Sequence, residues 1–120
     1  MRFFISLAPD PDSTAVSGPS EEFMEMMGRY VVDHMATGKV IATGAMEPIQ
    51  TGTVVAPVSG QARVVDGPYT EAKELVAGWV LLEADSRDEA ITQAEEFIQL
   101  HLDHWPGWNG HSVVRQVLDD

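Results

Sequence analysis

The run Leu75-Val76-Ala77-Gly78-Trp79-Val80-Leu81-Leu82 opens the longest and most apolar strand of the chain, residues 75–84. A strand with so few polar residues belongs inside a sheet rather than on its rim. Such a strand needs partners on both edges and cover on at least one face, so the rest of the chain must supply further strands and packing helices. Gly78 within it points to a bulge or to close packing.

The flanking segments meet that demand. Phe3, Phe4, Ile5 and Leu7 make residues 2–8 a first strand. Residues 9–19, rich in Pro, Asp, Ser and Gly, read as a loop. Ser20 caps a helix whose first turn holds Glu21 and Glu22, where the helix dipole favours anions. This helix runs to about Thr37, with Gly38 as its stop, and turns Phe23, Met27, Tyr30, Val31 and His34 inward. Gly28 weakens it, which close approach to another backbone would excuse. Residues 39–45 make a second strand, and residues 53–57 and 61–65 make a hairpin about Ser59-Gly60. Pro57 places that hairpin at a sheet edge.

Ser86-Arg87-Asp88-Glu89 is a capping box. The helix behind it carries Ala90, Ile91, Ala94, Phe97, Ile98 and Leu102 on one face, with Glu95, Glu96 and Gln99 toward water. Residues 112–117 close the fold as the last strand. Without the hairpin the order is βαββαβ, a ferredoxin-like α+β arrangement. Both helices on one face leave the other face bare, and a second copy is its simplest cover, so a homodimer is expected.

The chain's 120 residues suit one domain, 1–120. With no cysteine, disulfides and thiolate metal sites are excluded, which fits a reducing, cytoplasmic setting. The apolar N-terminal run is broken by Pro9-Asp10-Pro11-Asp12 and reads as a strand, not a signal peptide. No stretch approaches the roughly 20 apolar residues of a membrane span. Nineteen acids against seven bases give a net charge of −12, which disfavours nucleic acid and anionic membrane surfaces. The charge serves solubility, or attracts a basic protein or a cationic small molecule. No glycine-rich phosphate loop, Gly-x-Ser-x-Gly elbow or cysteine nucleophile is present, which removes most nucleotide-dependent and acyl-transfer enzymes; no cofactor is assigned.

Candidate chemistry gathers at the turn Asp66-Gly67-Pro68-Tyr69-Thr70-Glu71-Ala72-Lys73-Glu74. Pro68 restricts its own φ and the residue before it, so ionisable groups stand at a rigid bend before the apolar strand. One reading is a polar pocket floor: Asp66 as base or acceptor, Lys73 as its electrostatic partner, Tyr69 as donor, with Glu71 beside them. The other is a structural corner in which Asp66 accepts local amides and Lys73 pairs with Glu71 or Glu74. His34, on the apolar stripe of the first helix, is either a packed core residue or an acid–base group. Met27, Tyr30 and Trp79 are candidate ligand contacts. His101 and His104, three apart on a helix, with His111 and Asp103 close in sequence, could hold a divalent ion or merely complement a helix end; no second motif supports a metal, and none is assigned. Trp105 and Trp108 lid a pocket or cover a dimer seam.

Asp66, Gly67, Pro68, Glu71, Lys73 and Glu74, followed by Gly78-Trp79, Asp88-Glu89-Ala90 and the closing Val114-Arg115-Gln116-Val117, resemble the YCII-related family in its DGPF-type branch. Tyr69 stands where that signature has Phe. The resemblance implies a dimeric α+β barrel of ferredoxin-like subunits. The YciI-like branch carries a histidine on the first helix paired with an aspartate in a cleft; that position here is Met27, so its catalysis does not carry over. His34 lies two turns further along the same face. Two functions follow: a small-ligand-binding or regulatory accessory module with a polar pocket near Asp66, or a cofactor-independent enzyme using Asp66 and His34 on a small polar substrate. Some relatives resemble or adjoin sigma-factor-type regulators, which implies an accessory role.

Overall fold

The computed structural model describes residues 1–10, 12–14, 19–47, 52–65 and 78–118. Along the chain these form β1 (Arg2–Pro9), α1 (Glu21–Ala36), β2 (Val40–Ala45), β3 (Val54–Val58), β4 (Gln61–Val65), β5 (Gly78–Glu83), α2 (Arg87–His104) and β6 (Gly110–Gln116). Four strands pair in the order β2-β5-β1-β6, every pair antiparallel. This is the ferredoxin-like α+β arrangement. The apolar strand β5 lies inside the sheet, as its composition demands, and β1 lies beside it.

Register separates the two faces. Phe3 pairs with Leu82 and Ile5 with Val80, and these four join Val40, Ala84 and the α2 residues Ala90, Ala94 and Phe97 in the buried core. The alternate residues Phe4, Trp79, Leu81 and Val113 take the opposite face, half-buried or exposed. There the Trp79 indole stacks on Phe4 and lies across Gly44, where a Cβ would stand 2.9 Å from the indole nitrogen.

Both helices start on capped serines. Ser20 Oγ accepts from the Phe23 amide at 3.1 Å, and Ser86 Oγ accepts from the Glu89 amide at 3.2 Å. The Glu89 carboxylate accepts from the Asp85 amide and pairs with Lys39 at 3.0 Å. The amide first, and the ammonium after it, hold that carboxyl below its usual range.

Three sequence expectations are corrected. The hairpin β3–β4 is not an edge of the main sheet but a two-stranded sheet of its own. Gly28 is exposed, and a Cβ there would meet nothing within 4 Å, so no close approach explains it. The buried stripe of α2 is Ala90, Ala94, Phe97 and His101, while Ile91 and Leu102 are exposed. Spacings of four, three and four residues follow one helical face, and His101 takes the place that hydrophobicity assigned to Leu102. Among the described residues no helix is long and apolar enough to cross a membrane.

Candidate functional site

The two helices lie over the outer strands, α1 against β2 and α2 against β6. The space above β1 and β5 must be filled from between them. At one end Phe3, Leu82, Val40 and the small Ala90 and Ala94 close it completely. At the other end three of the helix-facing strand positions, Gly78, Ser112 and Thr43, carry small side chains, with Leu7 among them. A cavity of about 720 Å³ remains there.

Its floor is Ile5, Leu7, Thr43 and Val80, and α1 contributes Phe23, Met27 and Val31. Phe97 and His101 come from α2, and the turn behind α2 supplies Trp105 and Trp108. Trp79 and Gly44 border it at the β5–β2 pair, although by alternation both face the other side of the sheet. Ser13 also lines it, and residues 10–14 are tied to the turn behind α2. The Asp10 amide donates to the Asn109 carbonyl at 2.9 Å and the Thr14 amide to the Gly107 carbonyl at 2.8 Å. Ser13 Oγ accepts from the Asn109 amide, Asn109 Nδ2 donates to Asp12, and His111 Nδ1 meets Asp10 at 2.6 Å.

His101 is the cavity's titratable group among the described residues. Its Nδ1 donates to the Phe97 carbonyl at 2.8 Å, which fixes the tautomer because a carbonyl only accepts. In the neutral ring Nε2 is therefore a lone-pair acceptor. The ring packs against Phe23 at 5.1 Å and Trp108 at 4.7 Å between centroids. Burial lowers its pKa, and the bond to Phe97 opposes that only in part. His101 is thus a neutral acceptor near pH 7.

This arrangement carries a pH prediction. The folded pKa lies below the usual 6.5, so as pH falls the unfolded chain binds the proton first. The stability due to neutral His101 is complete above about pH 6.5 and is lost as pH falls from there toward the folded pKa. Urea midpoints should drop as pH falls below about 6.5, with a shallower drop in His101→Phe. Parallel curves would assign the drop to other groups.

The sequence candidates separate. Met27 and Trp79 line the cavity; Tyr30 and His34 do not. The His34 ring stacks on Tyr30 at 3.9 Å, and its Nδ1 donates to the Tyr30 carbonyl at 2.7 Å. The Tyr30 hydroxyl accepts from Gln93, and burial with the nearby Glu96 carboxylate pushes its pKa up. Asp66, Tyr69, Glu71 and Lys73 lie outside the described residues. His101, His104 and His111 do not converge: the first is buried, the second exposed, the third paired with Asp10. Among the described residues no group of three or more His, Cys, Asp or Glu could hold a metal ion.

A ferredoxin-like α+β domain with an apolar cavity between its layers is the class that fold and site define. The chain belongs to the YCII-related domain family, whose model matches residues 1–97. No curated protein matches it.

Proposed function

We propose that this chain is a small-ligand-binding module that acts as a homodimer, with the cavity between helices and sheet as its binding site. The observation that carries this reading is the cavity itself: about 720 Å³, walled by apolar and aromatic side chains, with a polar group at His101. Size and lining match those of small-molecule sites. The polar turn from Asp66 to Glu74 is not required by this reading. The enzyme alternative, with Asp66 and His34 as acid–base groups, draws no support from His34, which does not line the cavity.

Two surfaces support the dimer. Phe4, Trp79, Leu81 and Val113 form an apolar stripe on the helix-free sheet face. The hairpin exposes Val55 and Val64, each at 64%. A lone two-stranded hairpin is marginally stable in water, so burial against a second copy would stabilise it. Within the family we assign the chain to the DGPF-type branch, on Asp66-Gly67-Pro68-Tyr69-Thr70-Glu71. The absence of cysteine supports a cytoplasmic location.

The test pairs two measurements on the whole protein. The uncharged dye N-phenyl-1-naphthylamine should bind saturably, brightening as it quenches tryptophan emission. Sedimentation should give twice the protomer mass, and Leu81→Asp should reduce it to one. A folded protein that leaves the dye dark overturns the binding reading; a wild-type protomer sedimenting alone overturns the dimer.

A further inference from the structure

His101 and Trp108 bring to the cavity two almost wholly buried rings, each with a nitrogen that no described residue uses. His101 and Trp108 are each only 7% exposed and both line the cavity. His101 spends Nδ1 on the Phe97 carbonyl, and no described residue bonds its Nε2. Nor does any described residue accept from the Trp108 indole N–H. Burying a polar nitrogen without a partner is costly. Yet the described residues include no sealed, unpartnered side-chain nitrogen or oxygen. Both atoms therefore keep contact with open space, and for rings so enclosed that space is the cavity they line. The ring centres are 4.7 Å apart, so the two rings that carry this acceptor and this donor are neighbours in the cavity wall.

The two hydroxyls of the described lining are already engaged. Thr43 Oγ1 donates to the Trp79 carbonyl at 2.7 Å, and Ser13 Oγ donates to the Gly107 carbonyl. No Lys, Arg, Asp or Glu is among the described lining residues. A carboxylate or ammonium ion bound there would lose its hydration and find no opposite charge among the described residues, at a cost of several kcal/mol or more. A wholly apolar ligand would leave Nε2 and the indole N–H unpaired.

We propose that the ligand is an uncharged, mainly apolar molecule bearing a hydroxyl group, which donates to His101 Nε2 while an oxygen of the same molecule accepts from the Trp108 indole N–H. This rests on the binding reading above. It narrows the ligand to alcohols and phenols rather than carboxylic acids, amines or plain hydrocarbons.

Calorimetric titration of the full chain with five probes on one ring system tests it: 1-naphthol, naphthalene, 1-methoxynaphthalene, 1-naphthoate and 1-naphthylmethylammonium. 1-Naphthol should bind about tenfold more tightly than naphthalene, the worth of one to two net hydrogen bonds. The ether, which accepts but cannot donate, should fall between them, and both ions should bind more weakly than naphthalene. His101→Phe keeps a packed ring and should bring 1-naphthol to within about twofold of naphthalene. Trp108→Phe should weaken the ether and 1-naphthol together, by about threefold, and supplies the test should His101→Phe not fold. Equal affinity for 1-naphthol, ether and hydrocarbon overturns the hydroxyl assignment while leaving the cavity a binding site, as does tighter binding of either ion. No probe binding, with the dye also dark, overturns the binding reading itself.

Discussion

Gly110→Ala should destabilise the protein by about 3 kcal/mol or more, although it adds a single methyl group. Gly110 begins β6 and pairs with Pro9 across the β1–β6 ladder. A Cβ there would overlap the Ala8 carbonyl oxygen and stand 2.6 Å from Trp108 Cζ2 and 2.7 Å from Cη2. None of these atoms is the free end of a flexible chain. The carbonyl belongs to an interior strand, and the indole is held against His101 and is almost wholly buried. The methyl group must therefore either part the β1–β6 ladder at its end or drive Trp108 off the cavity. In the first case the loss appears in urea unfolding. In the second the 1-naphthol preference falls as well. A loss under about 1 kcal/mol with ligand preference intact would mean that this corner yields and that Trp108 is not fixed by it.

How far such a site is legible in the chain depends on the range of the contacts that build it. The helices were legible because local rules set them: Ser20 and Ser86 cap, and the apolar spacing has a helical period. The interior position of β5 was legible because a strand so apolar has nowhere else to go. The partner of the hairpin was not, since alternation marks a strand without saying which sheet receives it. The cavity was legible only in fragments. Met27 and Trp79 were singled out as candidate ligand contacts, but without the cavity that joins them. His101 was missed as a cavity residue because a ring with two nitrogens was counted as polar, although residues 90, 94, 97 and 101 share one helical face. That spacing is the signal that could have found it. The tie between Ser13 and Gly107 joins segments about ninety residues apart, and no local pattern announces it. Tyr30 packs against the core as its place on the α1 stripe implied, yet Phe23, Met27 and Val31 are the α1 residues that reach the cavity.

Phe3→Ala should cost about 3–5 kcal/mol, and more than Phe97→Ala by about 1 kcal/mol. Both rings are buried, so the difference must come from what each leaves behind. Phe3 has no exposed surface and pairs with Leu82, which is 1% exposed. The Arg87 guanidinium lies over its ring at 5.8 Å. Its removal opens a new void in the closed end of the core, lined by apolar side chains that lose their contacts. Phe97 already borders the 720 Å³ cavity, so truncation widens an existing space instead of making a new one. Its loss forfeits the transfer energy and the edge contact with Tyr30 at 5.0 Å, with a smaller void penalty. The two variants should also part company on adding a neutral aromatic ligand. Binding to the native state alone raises stability with concentration, so naphthalene should recover part of the Phe97→Ala loss, and more than in Phe3→Ala, whose void lies in the closed end. Urea midpoints with and without naphthalene read both effects. Equal losses and equal recovery would mean that the space between the helices is filled in solution, and that the open end of this fold is packed like its closed one.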